Sequence, residues 1–119
     1  MSLYCIGDVQ GCDPALQRLL DEIDFSPSRD TLVLLGDLVN RGPDSAAVLR
    51  RVQGYGASAR SVLGNHDLHL LGVAHGARKA DTMDVHSTLL RATHHAEIAR
   101  SVLGSWRWAL VTAAALLAL

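Results

Sequence analysis

Three apolar runs in this chain break off at the same kind of loop, and their spacing constrains the fold more than any other feature. Leu3 to Ile6 stops at Gly7-Asp8, Thr31 to Leu35 stops at Gly36-Asp37, and Ala59 to Leu63 stops at Gly64-Asn65. Asp8 and Asp37 lie 29 positions apart and Asp37 and Asn65 lie 28 apart, close to the roughly 30 residues of one βαβ unit. Short apolar runs bounded by turn residues read as strands, and the fully apolar second run suits a parallel strand buried on both faces.

The segments between the runs read as helices. Asp13 is placed to cap the first and Pro14 to occupy its first position. Leu16, Leu19, Leu20 and Ile23 recur at i, i+3, i+4 and i+7, one apolar face. The second helix opens at Pro43, turns Val48, Leu49 and Val52 inward, and ends at Gly54 and Gly56. A third is expected from Asp67 to His75. The result is an α/β chain, β-α-β-α-β, and right-handed crossovers bring all three polar loops to the carboxyl edge of one sheet. A mostly helical C-terminal part follows, with a loop over 76–84, helices over 85–93 and 95–103, and an apolar stretch from Trp106 to Leu119 without a readable period.

Each loop brings chemistry to that shared edge. The first offers the Asp8 carboxylate and the Gln10 amide, the second Asp37 and Arg41, the third Asn65, His66 and Asp67. Carboxylates meeting at one edge repel unless a cation lies between them, which makes them a ligand set for divalent metal. Asp37, from the middle strand, is the natural bridge. The planar fork of Arg41 suits phosphate oxygens. Two metals, a phosphate clamp and an imidazole together describe hydrolysis of a phosphate ester or anhydride by a metal-activated water.

The remaining features are bland. A formal charge of −1 gives no global attraction to nucleic acid or an anionic membrane, and neither is expected as a partner. The apolar stretch at the C-terminus is shorter than the roughly 20 residues of a membrane-spanning helix. With aromatics at 4% of the chain, Leu and Ala are expected to fill the core. Cys5 and Cys12 do not make a disulfide framework; Cys12 reads as a small packed residue, and a reduced cytoplasmic setting without a signal peptide is expected. His69, His75, His86, His94 and His95 read as surface or helix residues rather than ligands.

Gly7-Asp8-Val9-Gln10-Gly11, Gly36-Asp37-Leu38-Val39-Asn40-Arg41-Gly42-Pro43 and Gly64-Asn65-His66-Asp67 resemble, in order and spacing, the first three blocks of the calcineurin-like metallophosphoesterases. Within that superfamily the second block, and Leu63 to Leu71, are most similar to the branch that splits diadenosine tetraphosphate symmetrically into two ADP. The resemblance implies the N-terminal half of a sheet-and-helix sandwich and two divalent metal ions, manganese or cobalt, with a dinucleoside polyphosphate as substrate. By position, Asp8 and Gln10 would bind the first metal, Asp37 would bridge both, and Asn65 would bind the second. Arg41 and Asn65 would hold a substrate phosphate. His66 would act as general acid or stabilise transition-state charge, with Asp67 orienting it.

Three departures stand out. Gln10 replaces a metal-binding His of most of the superfamily. Asn40 replaces the Asp that pairs with the catalytic His in related protein phosphatases, so an imidazolium would be less stabilised. No Ala-His-Ala-Gly-like block supplying further His ligands occurs. Residues 1–100 are therefore expected to form a truncated phosphoesterase domain. Residues 101–119, which lie beyond the last acid, Glu97, are expected to form an apolar tail of separate origin, such as translation in another frame. The alternatives are a catalytically impaired fragment without the distal His ligands, and a serine/threonine protein phosphatase.

Overall fold

A computed structural model describes residues 1–74. The helices and loop expected beyond them, with His75, His86, His94, His95 and the apolar tail, lie outside the described residues. The element order is β1 (Leu3–Ile6), α1 (Asp13–Glu22), β2 (Thr31–Leu34), α2 (Ser45–Tyr55), a 3-10 turn (Gly56–Ser58), β3 (Ala59–Ser61) and α3 (Asn65–Ala74). The strands form one parallel sheet in the order β1-β2-β3. Register pairs Ile6 with Leu34 and Leu34 with Ser61, so the three chains leave the sheet side by side.

The helices differ from expectation at their ends, for local reasons. Cys12, not Asp13, takes the capping position of α1 and makes no side-chain cap, because the Asp13 carboxylate is turned to Arg51 of α2 at 2.7 and 2.8 Å. Helix α2 starts at Ser45 rather than Pro43: Asp44 accepts the Ala47 N–H at 3.2 Å and fixes the start there. Gly54 lies inside α2, and Gly56 alone, at φ 54, ends it. Strands β2 and β3 stop before Leu35 and Val62, and α3 begins at Asn65, two residues ahead of Asp67.

The core is built from Leu and Val more than from Ala. Leu32 and Leu34 of β2 are fully buried against Leu16 and Leu20 of α1 and Val48, Leu49 and Val52 of α2. Helices α1 and α2 lie on the same side of the sheet, since Arg51 reaches both Asp13 and Gln17 across them. Leu19 therefore points outward and is exposed, and only Leu16 and Leu20 of the expected α1 face are buried. Burial on both faces of β2 is likewise incomplete: Thr31 and Val33 are half-buried, and Leu3 at 66% and Leu35 at 54% are exposed.

Away from the loops the sheet is tied at its start. Thr31 N–H donates to Ser2 O at 2.8 Å, and the buried Asp30 carboxylate accepts N–H bonds from Ser2 at 2.9 Å and Ser26 at 3.1 Å. Tyr4, Phe25 and Tyr55 stack edge to face beneath it. The Arg29 guanidinium, with those backbone donors, pulls the Asp30 carboxyl down from 3.8 to about 2. A carboxylate with a depressed folded pKa contributes stability above its unfolded pKa and loses it as pH falls toward the folded value. The melting temperature should thus drop between about pH 4 and pH 2, and Asp30→Asn should melt lower at neutral pH with a shallower fall across that window. Leu34→Ala, which empties the middle of the core, should cost about 2–5 kcal/mol in urea unfolding.

Candidate functional site

At the carboxyl edge the first two loops are stitched backbone to backbone. Gln10 N–H donates to Asp37 O at 2.8 Å and Gly11 N–H to Leu38 O at 2.9 Å, while Gly42 N–H returns to Gln10 O at 2.7 Å and Asp44 N–H to Gly11 O at 2.9 Å. The seam extends the pairing of β1 with β2 past the strand ends. It also holds unfavourable backbone. Gln10 (φ 48), Asp37 (φ 50), Asn40 (φ 76) and Arg41 (φ 65) are left-handed non-glycine residues, a conformation that costs of order 1–3 kcal/mol each and clusters at functional sites. Ser45, buried at the start of α2, supports the turn by accepting the Asn40 N–H at 3.0 Å. Sequence reasoning missed Ser45, whose only signal was its position after the capping Asp44.

The third loop joins through carboxylates. Asp37 Oδ1 accepts the His66 N–H of α3 at 3.0 Å. Asp67 Oδ1 accepts the Leu38 N–H and its Oδ2 the Gly64 N–H, both at 2.9 Å. Asp67 is 0% exposed. Burial is the largest influence on it and, with the nearby Asp37 charge, pushes its carboxyl up to about 6 against the pull of the Gly64 and Leu38 N–H groups. The expected contact of Asp67 with the His66 ring is not what the structure shows. The ring is held instead by Asn40, whose Nδ2 lies 2.9 Å from His66 Nδ1.

The sequence-predicted residues thus stand on adjoining loops. Asp8, Arg41 and Asn65 are exposed, and Gln10, Asp37 and His66 are half-buried. Cys12 is exposed rather than packed; with Asp8, Gln10, Ile6, Leu16 and Leu19 it lines a cleft of about 260 Å³ beside the first loop. His69, three residues after His66 on α3, is partly buried.

The donor set suits a hard divalent cation. The ion pairs among the described residues involve Asp13, Asp24 and Asp30, and none neutralises Asp8, Asp37 or Asp67. Asp8 and Asp37 add carboxylate oxygens, Gln10 and Asn65 amide oxygens, the ligand chemistry of manganese or magnesium more than of soft-ligand metals. Among the described residues no group of three His, Cys, Asp and Glu is gathered as a metal site. No helix among the described residues is long and apolar enough to cross a membrane.

Two glycines make this packing possible. A Cβ on Gly42 would strike Gln10 O, Gly11 C at 2.7 Å and Cys12 Sγ at 2.8 Å. A Cβ on Gly64 would strike Asp37 Oδ1 as well as Cγ and N at 2.5 Å. Gly64→Ala should therefore displace the Asp37 carboxylate and destabilise the chain by about 1–3 kcal/mol. Gly42→Ala, whose obstacles are mainly backbone, should cost at least as much in urea unfolding.

Comparison with known proteins agrees with this geometry. The family model of the calcineurin-like phosphoesterases matches residues 1–102. The chain is 68% identical over 92 residues to the symmetrical bis(5'-nucleosyl)-tetraphosphatase of Paracidovorax citrulli, covering 77% of this chain and 33% of that protein. It is 59% identical over 98 residues to that of an Acidovorax species, covering 82% and 35%. It is 50% identical over 98 residues to that of Methylococcus capsulatus, again covering 82% and 35%. A crystal structure of a candidate diadenosine tetraphosphatase superposes with a TM-score of 0.67 at 35% identity, over 84% of this chain and 42% of its own. The chain spans about a third of the length of the curated relatives it matches.

Proposed function

This chain belongs to the calcineurin-like phosphoesterase family, and on that premise we propose that the protein hydrolyses diadenosine tetraphosphate symmetrically to two ADP. The carrying observation is the convergence of Asp8, Gln10, Asp37, Asn40, Arg41, Asn65 and His66 on one sheet edge through the three stitched loops. The likeness to tetraphosphatases of several bacteria supports the choice of substrate.

Asp8 and Gln10 would hold one divalent metal and Asn65 a second, with Asp37 shared between them. Manganese or cobalt is our choice. When bound, the metals supply Lewis-acid polarisation of the phosphate and lower the pKa of water. The chain's own residues do the rest. Arg41, exposed at the rim, pairs with a substrate phosphate through its fork, and Asn65 adds an amide. His66, held by Asn40, would present Nε2 to the oxygen of the departing ADP, acting as the imidazolium with the Asn40 amide turned so that its Oδ1 accepts from Nδ1–H. Water would attack an inner phosphorus and lose its proton to solvent as the P–O bond to the departing ADP breaks, and the imidazolium proton would pass from His66 Nε2 to the leaving oxygen, leaving a neutral imidazole.

We take residues 1–100 as the phosphoesterase domain and 101–119 as a separate apolar segment. A cytoplasmic setting suits the two free, exposed cysteines.

Purified protein with manganese and diadenosine tetraphosphate should yield two ADP on anion-exchange chromatography, and a chelator should stop it. ATP plus AMP would refute symmetrical cleavage. His66→Asn should lower kcat about 10²–10⁴-fold, the usual worth of a general acid, while Arg41→Ala should mainly raise KM.

A further inference from the structure

We propose that Asp67 is a positioning residue whose carboxylate sets the separation of Asp37 and Asn65 by gripping the peptides next to each of them. This rests on the reading of Asp37 and Asn65 as metal ligands. Leu38 follows Asp37 in the chain and Gly64 precedes Asn65. One Asp67 oxygen takes each N–H, at the same 2.9 Å. A rigid carboxylate thereby becomes the spacer between two loops that share no strand-type pairing at this point.

The arrangement is a helix cap divided between two loops. Gly64 precedes the first residue of α3, and Leu68 N–H returns to its carbonyl at 3.0 Å. An acid three residues on that reaches back to the N–H at the cap position is half of a capping box. The other half, a side-chain acceptor for the first helical turn, comes in every ordinary case from the cap residue itself. Gly64 has no side chain. Asp37 supplies the acceptor from the second loop by taking the His66 N–H, and Gly64 must be a glycine because the Asp37 carboxylate occupies the place of a Cβ there. Each carboxylate thus holds the other's loop: Asp37 caps α3, and Asp67, projecting from α3, holds the peptide that carries Asp37 forward.

A local cap would need only one of the two Asp67 oxygens. The second, spent on Leu38 across 29 positions of sequence, ties the helix to the middle loop. Burying a polar carboxyl is unfavourable unless its oxygens are hydrogen-bonded, and the bonds that Asp67 makes go to backbone next to the candidate ligands. Asp67 itself is enclosed, with both oxygens engaged by backbone N–H groups.

The test uses Asp67→Asn in the full chain, with Leu70→Ala as a control that weakens the same helix at a fully buried core position without touching either loop. Asparagine keeps the shape but presents an N–H₂ to one of the two N–H donors. In ¹⁵N-labelled protein, hydrogen exchange at Leu38 and Gly64 should quicken in Asp67→Asn while the amides of β2 keep their protection. Manganese titration followed by calorimetry and by the electron paramagnetic signal of a coupled pair should then show the second ion bound at least tenfold more weakly, the range seen when outer supports of metal ligands are removed. Leu70→Ala, measured well below its melting temperature, should bind within twofold of the unaltered chain. Equal manganese binding by Asp67→Asn and the unaltered chain, or equal loss in Leu70→Ala, overturns the assignment. Protected Leu38 and Gly64 amides in an unaltered chain that takes up no manganese would instead overturn the metal reading, and the positioning role with it. If Asp67→Asn does not fold, Asp67→Ser, which leaves room for water at the two amides, is judged by the same criteria.

Discussion

The backbone seam between the first two loops is the interaction on which the site depends. Four N–H···O bonds between residues 10–11 and 37–44 do the work of a sheet ladder where the chain is no longer a strand. They hold four side-chain-bearing residues in left-handed conformations that each would leave if free. The benefit is directional. In extended backbone, Asp37 and Asn40 would point to opposite faces; in the left-handed loop both reach His66, Asp37 at its N–H and Asn40 at its ring. Gly42 is the hinge of this seam, because the peptides of the first loop pass where its Cβ would be.

Much of this was legible in the sequence, and the reason is periodicity. Runs such as Thr31 to Leu34 and spacings of 29 and 28 determine a parallel sheet whose polar loops share one edge, because crossover handedness leaves no other placement. Asp8, Asp37 and His66 were therefore readable as neighbours without any contact being known. The ends of elements were less readable. Asp13 looks like a cap, but a cap is a local preference worth about 1 kcal/mol, and a two-bond pairing with Arg51 across α1 and α2 draws its carboxylate elsewhere. Asp67 beside His66 looks like an orienting partner, yet adjacent helical residues point about 100° apart, and the reach of the ring falls to Asn40. Contacts that close only in three dimensions, such as Ser45 with the Asn40 peptide, leave no mark in a linear pattern.

The two faces of the sheet show the same division between what is settled locally and what is not. Leu32 and Leu34 face two helices joined by Arg51, while Leu3, Cys5 and Leu35 stand exposed on the other side. The helix side is sufficient to hold the strands in register, and register is all that the loops require. A parallel sheet is normally covered on both faces, and the relatives carry about twice as much further sequence as the part matched here. The described unit is thus a scaffold complete on the side that positions the loops.

Electrostatics separates the structural acids from the candidate ligands. Asp13 and Asp30 each meet an arginine and are drawn below the ordinary carboxylate range; their charges are spent within the fold. Among the described residues Asp8, Asp37 and Asp67 meet none, and Asp67 is pushed the other way. Among the described residues, guanidinium groups pair with Asp13, Asp24 and Asp30 and with none of the three acids at the loop edge. Backbone N–H groups stabilise a carboxylate without cancelling its charge at a distance, so Asp37 and Asp67 can be fixed in place and still attract a cation. Under the proposed reading, the amides of Gln10 and Asn65 would add ligand oxygens without adding to the repulsion between the carboxylates of this edge.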